Sequence, residues 1–199
     1  MQRLSREFYA RPALTVAREL LGQRLVRVLN GQRLAGRIVE VEAYLGETDQ
    51  ASHARPGRTR RNAPMYGPPG HAYVYFIYGM HYCLNAVTER QGSPAAVLIR
   101  ALEPLEGLEA MRQHRPGRAD HDLTSGPAKL CQALAIDGTL NQADLCQADA
   151  IWIEADAPPG DAQVATSPRI GVRGDPRALT APWRFFIRGH PCLSRKSQR

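Results

Sequence analysis

Lysine is nearly absent from this chain. Of its 26 basic residues only Lys129 and Lys196 are lysines, and the rest are arginines. A reaction that runs through an amine nucleophile needs such a residue at its site, and the body of the chain offers Lys129 alone. Cysteine is sparse and scattered. Cys83, Cys131, Cys146 and Cys192 form no Cys-x-x-Cys pair, which argues against zinc, an iron–sulfur cluster or a disulfide framework. Reduced thiols in a cytosolic protein are the expectation. No apolar run approaches the length of a membrane span, and the opening Met-Gln-Arg-Leu-Ser-Arg-Glu lacks the apolar stretch of a signal peptide. A soluble, cytoplasmic protein is expected. No internal repeat, low-complexity block or linker divides the 199 residues. One domain over 1–199 is therefore expected, with a poorly ordered basic tail over about 190–199.

What is present is ordinary globular composition, 43% hydrophobic and 23% charged, with a formal net charge of +7. A basic balance suits a polyanionic partner, and arginine makes bidentate phosphate contacts better than lysine. An arginine-rich chain can equally reflect coding bias, so the charge is only suggestive.

The most informative stretch runs from Gly70 to Asn85 and holds Tyr73, Tyr75, Tyr78 and Tyr82, four of the seven tyrosines. Aromatic and β-branched residues on both sides of a glycine read as two strands joined at Tyr78-Gly79-Met80. With a three-residue loop, strand alternation puts Tyr73 and Tyr75 on one face with Cys83 and Asn85. Tyr78 and Met80 then stand at the tip. A lone tyrosine ordinarily folds back on the core. The sharper reading is a wedge, because apolar side chains pushed between base steps are how many proteins kink DNA.

Elsewhere, a short turn opens at Ser5, and a helix follows with Pro12 near its start, Leu14, Ala17, Leu20 and Leu21 on one stripe, and Gly22 at its end. Asn30-Gly31 between Arg24–Leu29 and Leu34–Tyr44 is the strongest hairpin signal. Alternation puts Glu40, Glu42 and Tyr44 on one side of the second strand and Val39, Val41 and Ala43 on the other. Residues 47–69 are polar and rich in glycine and proline. A connection of that length is usually functional or disordered. It carries His53 and the basic run with Arg55, Arg58, Arg60 and Arg61. Such a run is commonly a solvated loop, but its neighbours raise its standing as a phosphate contact. Further on, Ala95–Ala101 reads as a strand and Pro104–His114 as a helix. A second helix follows Ser125, the expected N-cap, and Pro127. Ile151–Glu154, Arg169–Val172 and Arg184–Ile187 read as strands.

Taken alone, Glu42 is one carboxylate near a strand end. If the two hairpins pack side by side, it converges with Tyr44, Tyr73, Tyr75, His53, Asn85 and Arg100. That set suits a slot that stacks a planar ring, reads its edge and activates a water.

These residues lie in blocks that resemble the alkyladenine (3-methyladenine) DNA glycosylases of the mammalian type, a family with bacterial members. The likeness rests on Glu-Val-Glu-Ala-Tyr-Leu-Gly (40–46), Ala-Ser-His (51–53), Tyr-Val-Tyr-Phe-Ile-Tyr-Gly-Met (73–80) and Cys-Leu-Asn (83–85). It continues through 98–109, Ser-Gly-Pro-Ala-Lys-Leu-Cys-Gln-Ala-Leu (125–134) and Phe-Phe-Ile-Arg-Gly (185–189). The resemblance implies a single α/β domain of the α+β type, with a curved, mainly antiparallel sheet, surrounding helices and a protruding, DNA-inserting β-hairpin. It implies a monofunctional enzyme of base excision repair that flips alkylated or deaminated purines out of duplex DNA and hydrolyses the N-glycosidic bond. By position, Glu42 is the general base and Arg100 helps hold the water and the carboxylate. Tyr44, His53 and Tyr75 wall the base pocket, and Asn85 crowds purines with a 2-amino group. Tyr78 fills the gap in the stack with Met80 beside it, and His81 departs from the aromatic common in relatives. Damaged double-stranded DNA is the implied partner of a monomer at the nucleoid, with no membrane, cofactor or metal. A non-catalytic nucleic-acid-binding domain and a hydrolase of free nucleosides are the alternatives.

Overall fold

One strand, Gln32–Tyr44 (here β2), collects the rest of the sheet around it. In the computed structural model, which describes residues 1–194, one edge of β2 pairs along most of its length with β5, Ala95–Glu106. Its other edge is divided. The first half pairs with β1, Arg24–Leu29, and Glu40–Glu42 pair with β8, Arg184–Ile187. Between β1 and β2, Asn30 (φ 50°) and Gly31 (φ 78°) both adopt the left-handed conformation that a two-residue type I′ turn demands.

The remaining strands extend this frame. β3 (Ala72–Ile77) and β4 (His81–Thr88) form the expected hairpin, and Ile77 opposite His81 leaves Tyr78, Gly79 and Met80 as its loop. β6 (Ile151–Glu154) adds to β1, and β7 (Val164–Ser167) to β8. The sheet is antiparallel and open, in the order β3-β4-β5-β2-β1-β6 with β7 and β8 branching from β2. Helix α1 (Arg6–Tyr9) precedes α2 (Ala13–Leu20), which packs on β2 and β5. After α3 (Leu108–His114), helix α4 (Pro127–Ala133) packs on β4 and β5, and α5 (Pro176–Thr180) precedes β8. No helix of the described residues is long and apolar enough to cross a membrane.

Strand alternation gives the sheet two chemically different faces. Ala72, Val74, Leu84, Ala86, Val97, Ile99, Val41 and Ala43 join the main apolar core with residues of α2 and α4. The intervening residues face the other way. Cross-strand register aligns Tyr73 with Asn85, Asn85 with Leu98, Leu98 with Glu42, and Glu42 with Arg184. Residues far apart in sequence therefore meet on one face.

Several sequence expectations need correction. β5 continues through Glu106, pairing Gly36 with Pro104, so the helix expected over Pro104–His114 begins only at Leu108. Pairing with β2 outweighs helical spacing there, and Pro104 sits at a register shift, where its missing N–H is tolerated. Arg169–Val172 forms no strand, and β7 lies earlier, at Val164–Ser167. Gly126, not Ser125, occupies the N-cap of α4, because the Ser125 hydroxyl is held by Asp122 and Lys129. Irregular pairing around Glu40 turns Val39 away from Val41 and into a second cluster with Ala101, Phe186, Cys192 and Leu193. The tail expected from His190 is packed as far as Ser194, since Cys192 and Leu193 are buried there. Residues 195–199 of that expectation lie outside the described residues.

Two glycines of the β1–β2 hairpin differ in what they require. A Cβ on Gly31 would meet nothing within 4 Å, so Gly31→Ala carries only backbone strain, about 1 kcal/mol. A Cβ on Gly36 would lie 2.9 Å from Leu102 Cβ and 3.0 Å from the Glu103 carbonyl oxygen. Gly36→Ala is expected to destabilise by roughly 1–3 kcal/mol, the larger loss of the two in denaturant unfolding.

Candidate active site

The face opposite the main core opens into a cavity of about 640 Å³ lined by Tyr44, His53, Tyr73, Tyr75, Asn85 and Arg100 among others. His53 comes from the long connection after β2. Asn62 fixes the backbone there by donating from Nδ2 to the His53 carbonyl at 2.7 Å. The imidazole Nδ1 lies 2.9 Å from the Tyr73 hydroxyl, and the ring stands edge-on to Tyr75 at 4.5 Å between centroids. Burial, then the nearby Arg61 charge, lowers the His53 pKa from its ordinary value, so the ring is neutral at pH 7. Burial raises the Tyr75 hydroxyl and pushes that of Tyr73 up to about 12, so both stay protonated. Asn85 donates from Nδ2 to the Tyr73 carbonyl at 3.0 Å, which fixes the amide at the cavity wall.

Glu42 is fully buried, with 0% exposure. Its Oε1 accepts from the Ile170 N–H at 2.7 Å. Its Oε2 accepts from the Tyr44 hydroxyl at 2.9 Å and lies 3.2 Å from Arg100 Nη1. Tyr44, Arg100 and Ile170 all line the cavity, so the carboxylate sits directly behind its wall. Burial and the adjacent Glu42 charge raise the Tyr44 hydroxyl well above its ordinary pKa, which keeps it a donor.

A second carboxylate lies beyond. Glu40, also 0% exposed, accepts from Arg100 Nε and Arg184 Nε, each at 2.8 Å. It also accepts from the Ser194 N–H at 2.7 Å and the Ser194 hydroxyl at 2.6 Å. Burial alone pushes Glu40 up, but the Arg184 hydrogen bond and the charges of Arg100 and Arg184 outweigh it, and the pKa ends lowered. Burial pulls Arg100 down and the two carboxylates more than restore it.

Around the cavity mouth the surface is apolar and cationic. Tyr78 and Met80 at the hairpin tip are 81% and 68% exposed. Tyr78 takes a positive φ of 54°. His81 lines the cavity just after this tip. Arg55 and Arg61 line the mouth, with Arg61 Nη2 donating to the Phe76 carbonyl at 3.1 Å and its guanidinium 5.7 Å from the Tyr75 ring. Arg58 stands over Tyr66, and Arg60 is exposed. Among the described residues none of these four arginines has an ion-pair partner.

Sequence reasoning missed the parts that hold Glu42 from behind. Arg169 makes a bidentate pair with Asp49, at 2.6 and 2.8 Å, and donates to the Ala43 carbonyl at 3.0 Å. Its guanidinium lies between the rings of Tyr44 and Trp183, at 4.6 and 4.9 Å. That clamp fixes the segment whose next residue, Ile170, supplies the amide to Glu42. A main-chain donor leaves no trace in residue type, and Arg169 itself reads only as part of a short apolar run. Among the described residues no three His, Cys, Asp or Glu side chains group as metal ligands.

A narrow aromatic slot with a carboxylate at its back, beside a bulky exposed tip and unpaired arginines, has the features of a nucleobase-handling protein. Comparison with known proteins agrees. The family model for methylpurine-DNA glycosylase (MPG) matches residues 7–191, and the chain belongs to that family. It is 52% identical over 195 residues to a Methanocella arvoryzae protein provisionally named 3-methyladenine DNA glycosylase, covering 98% of this chain and 96% of that one. It is 50% identical over 206 residues to the human DNA-3-methyladenine glycosylase, covering 98% of this chain and 68% of that one. The mouse protein of the same name is 51% identical over 208 residues, covering 96% of this chain and 61% of its own length.

Arg169→Met would leave Asp49 buried without its partner, and both side chains are 0% exposed. The loss expected in denaturant unfolding is about 3–5 kcal/mol. Exposed Arg58→Ala is expected within about 0.5 kcal/mol of the parent.

Proposed function

We propose that this chain removes damaged purines from duplex DNA, with Glu42 as the base that activates the attacking water. The carrying observation is the buried Glu42 carboxylate, whose donors Tyr44, Arg100 and Ile170 all line the aromatic cavity. As a methylpurine-DNA glycosylase it is a hydrolase of N-glycosyl bonds with a role in base excision repair.

The flipped base lies in the slot between Tyr44, His53 and Tyr75, and Tyr78 fills the gap it leaves in the stack, with Met80 beside it. Extrusion costs a few kcal/mol, least for a damaged or mispaired base, so selection begins before the pocket. As the C1′–N bond breaks, its electron pair leaves with the base and the sugar becomes oxocarbenium-like. Glu42 stabilises that charge and takes a proton from water as the oxygen bonds to C1′. Arg100, held at 3.2 Å from Glu42, keeps the carboxylate turned toward the water. Neutral His53 bonds the base edge. Asn85 crowds a 2-amino group, which normal guanine carries and adenine and hypoxanthine lack.

Hydrolysis without a lyase step fits the scarcity of amines. Lys129 is tied to Asp122 at 2.5 Å and to Ser125 at 3.0 Å, and among the described residues no lysine lines the cavity. Arg55, Arg58, Arg60 and Arg61 contact phosphates beside the mouth. The chain works as one glycosylase domain and a monomer, in the cytoplasm at the nucleoid, without membrane, cofactor or metal.

Glu42→Gln keeps the shape and cannot accept the proton. Single-turnover excision is expected to fall by about 10²–10⁴ while binding to lesion-containing duplex survives. Near-normal excision by that variant would remove Glu42 from this role. The arginine run has its own test in salt. Arg58→Ala and Arg60→Ala should each flatten the log–log dependence of duplex affinity on salt by about 0.9, with lesion preference unchanged.

A further inference from the structure

Behind the cavity wall, a second buried carboxylate, Glu40, shares the Arg100 guanidinium with Glu42. We propose that Glu40 is a positioning residue for excision: by holding Arg100 from the side away from the cavity, it divides that guanidinium between two carboxylates and keeps Glu42 basic enough to deprotonate water. This rests on the reading of Glu42 as the base.

The geometry forms a chain of alternating charge. Arg100 reaches Glu42 through Nη1 at 3.2 Å and Glu40 through Nε at 2.8 Å. Arg184 closes the far end, with Nε 2.8 Å from Glu40 and Nη1 3.0 Å from the Ser167 hydroxyl. Two carboxylates and two guanidiniums balance, and all four side chains are 8% exposed or less. Were Glu40 absent, Arg100 and Arg184 would bring two positive charges to a region holding Glu42 alone. An opposite charge within about 4–6 Å favours the ionised carboxylate, so Glu42 would become a weaker base. All three donors of Glu42 line the cavity, whereas of the residues that hold Glu40 only Arg100 does and Arg184 and Ser194 do not, so Glu40 stands one layer further back.

The other groups around Glu42 do not provide this balance. From its own strand comes the neutral Tyr44 hydroxyl, and from the segment after β7 the uncharged Ile170 N–H. Tyr75 on β3 and Cys83 on β4 also face it, and burial raises the pKa of both, so both remain neutral. Arg169, stacked on Tyr44, is matched by Asp49. Glu40 is therefore the counter-charge for the Arg100–Arg184 pair. The Ser194 N–H and hydroxyl, both donating to Glu40, tie the end of the described chain to the same network.

The test is the pH dependence of single-turnover release of 7-methylguanine, a base already cationic, from duplex DNA by the whole protein. In Glu40→Gln the acid limb should move down by about one unit, and the plateau should fall roughly threefold to tenfold as the base weakens. Arg184→Gln removes a positive charge and should move the limb up. In Glu40→Gln/Arg184→Gln the limb should return close to its original position. An acid limb that stays in place in Arg184→Gln, with only the melting temperature lowered, would overturn the proposal, and this variant decides it if Glu40→Gln does not fold. Glu42→Gln is the control. Its inactivity together with unmoved limbs refutes the role of Glu40 alone, whereas full activity in Glu42→Gln refutes the reading of the base and the proposal with it.

Discussion

A carboxylate taken out of water must meet a cation or hydrogen-bond donors, since the effective penalty for an uncompensated buried charge is several kcal/mol. Here two carboxylates two residues apart on one strand, Glu40 and Glu42, are both fully buried. Much of the architecture behind the cavity answers that demand. β5 brings Arg100, β8 brings Arg184, the chain after His190 brings Ser194, and the segment after β7 brings the Ile170 amide. Pairing of β2 with β5 on one edge and β8 on the other lets cations reach the same face from both sides.

The same strands also solve a packing problem. Residues one step out of phase, such as Val41, Ala43, Val97 and Ile99, belong to the main core. The site therefore stands on the back of that core, and its side chains inherit the core's rigidity. By contrast, the hairpin tip at Tyr78 and Met80 and the arginines of the loop are exposed, and among the described residues those arginines have no ion-pair partner. The division suits a protein that must hold one base in place while its outer surface adapts to a polymer.

Legibility in the sequence followed the range of the interactions. The Asn30-Gly31 and Tyr78-Gly79-Met80 hairpins were readable because a turn and its flanking alternation are local. The shared face of Tyr73, Tyr75, Cys83 and Asn85 followed from that register alone. Grouping Glu42, Tyr44, His53, Asn85 and Arg100 required the resemblance to a family as well, because their meeting depends on how β5 lies between two hairpins. Irregular pairing at Glu40 turned Val39 to the other face, against simple alternation. Pro104 misled as a helix start because a strand edge with a register shift tolerates it equally well. The Arg169–Asp49 clamp spans 120 positions and carries no local signature. The packed residues from Cys192 to Ser194 looked like a tail because partners such as Val39, Ala101 and Glu40 lie far off in sequence.

The central claim is that the cavity receives a purine turned out of duplex DNA and that the carboxylate behind its wall drives release of the base. Incubating the purified protein with duplex DNA bearing an alkylated purine, and separating free base from polymer, tests this most directly. Free alkylated base, an abasic site left in an unbroken strand, and no release from the corresponding free nucleoside are the expected result. Tight binding to the damaged duplex without release, or release from free nucleosides only, would contradict it.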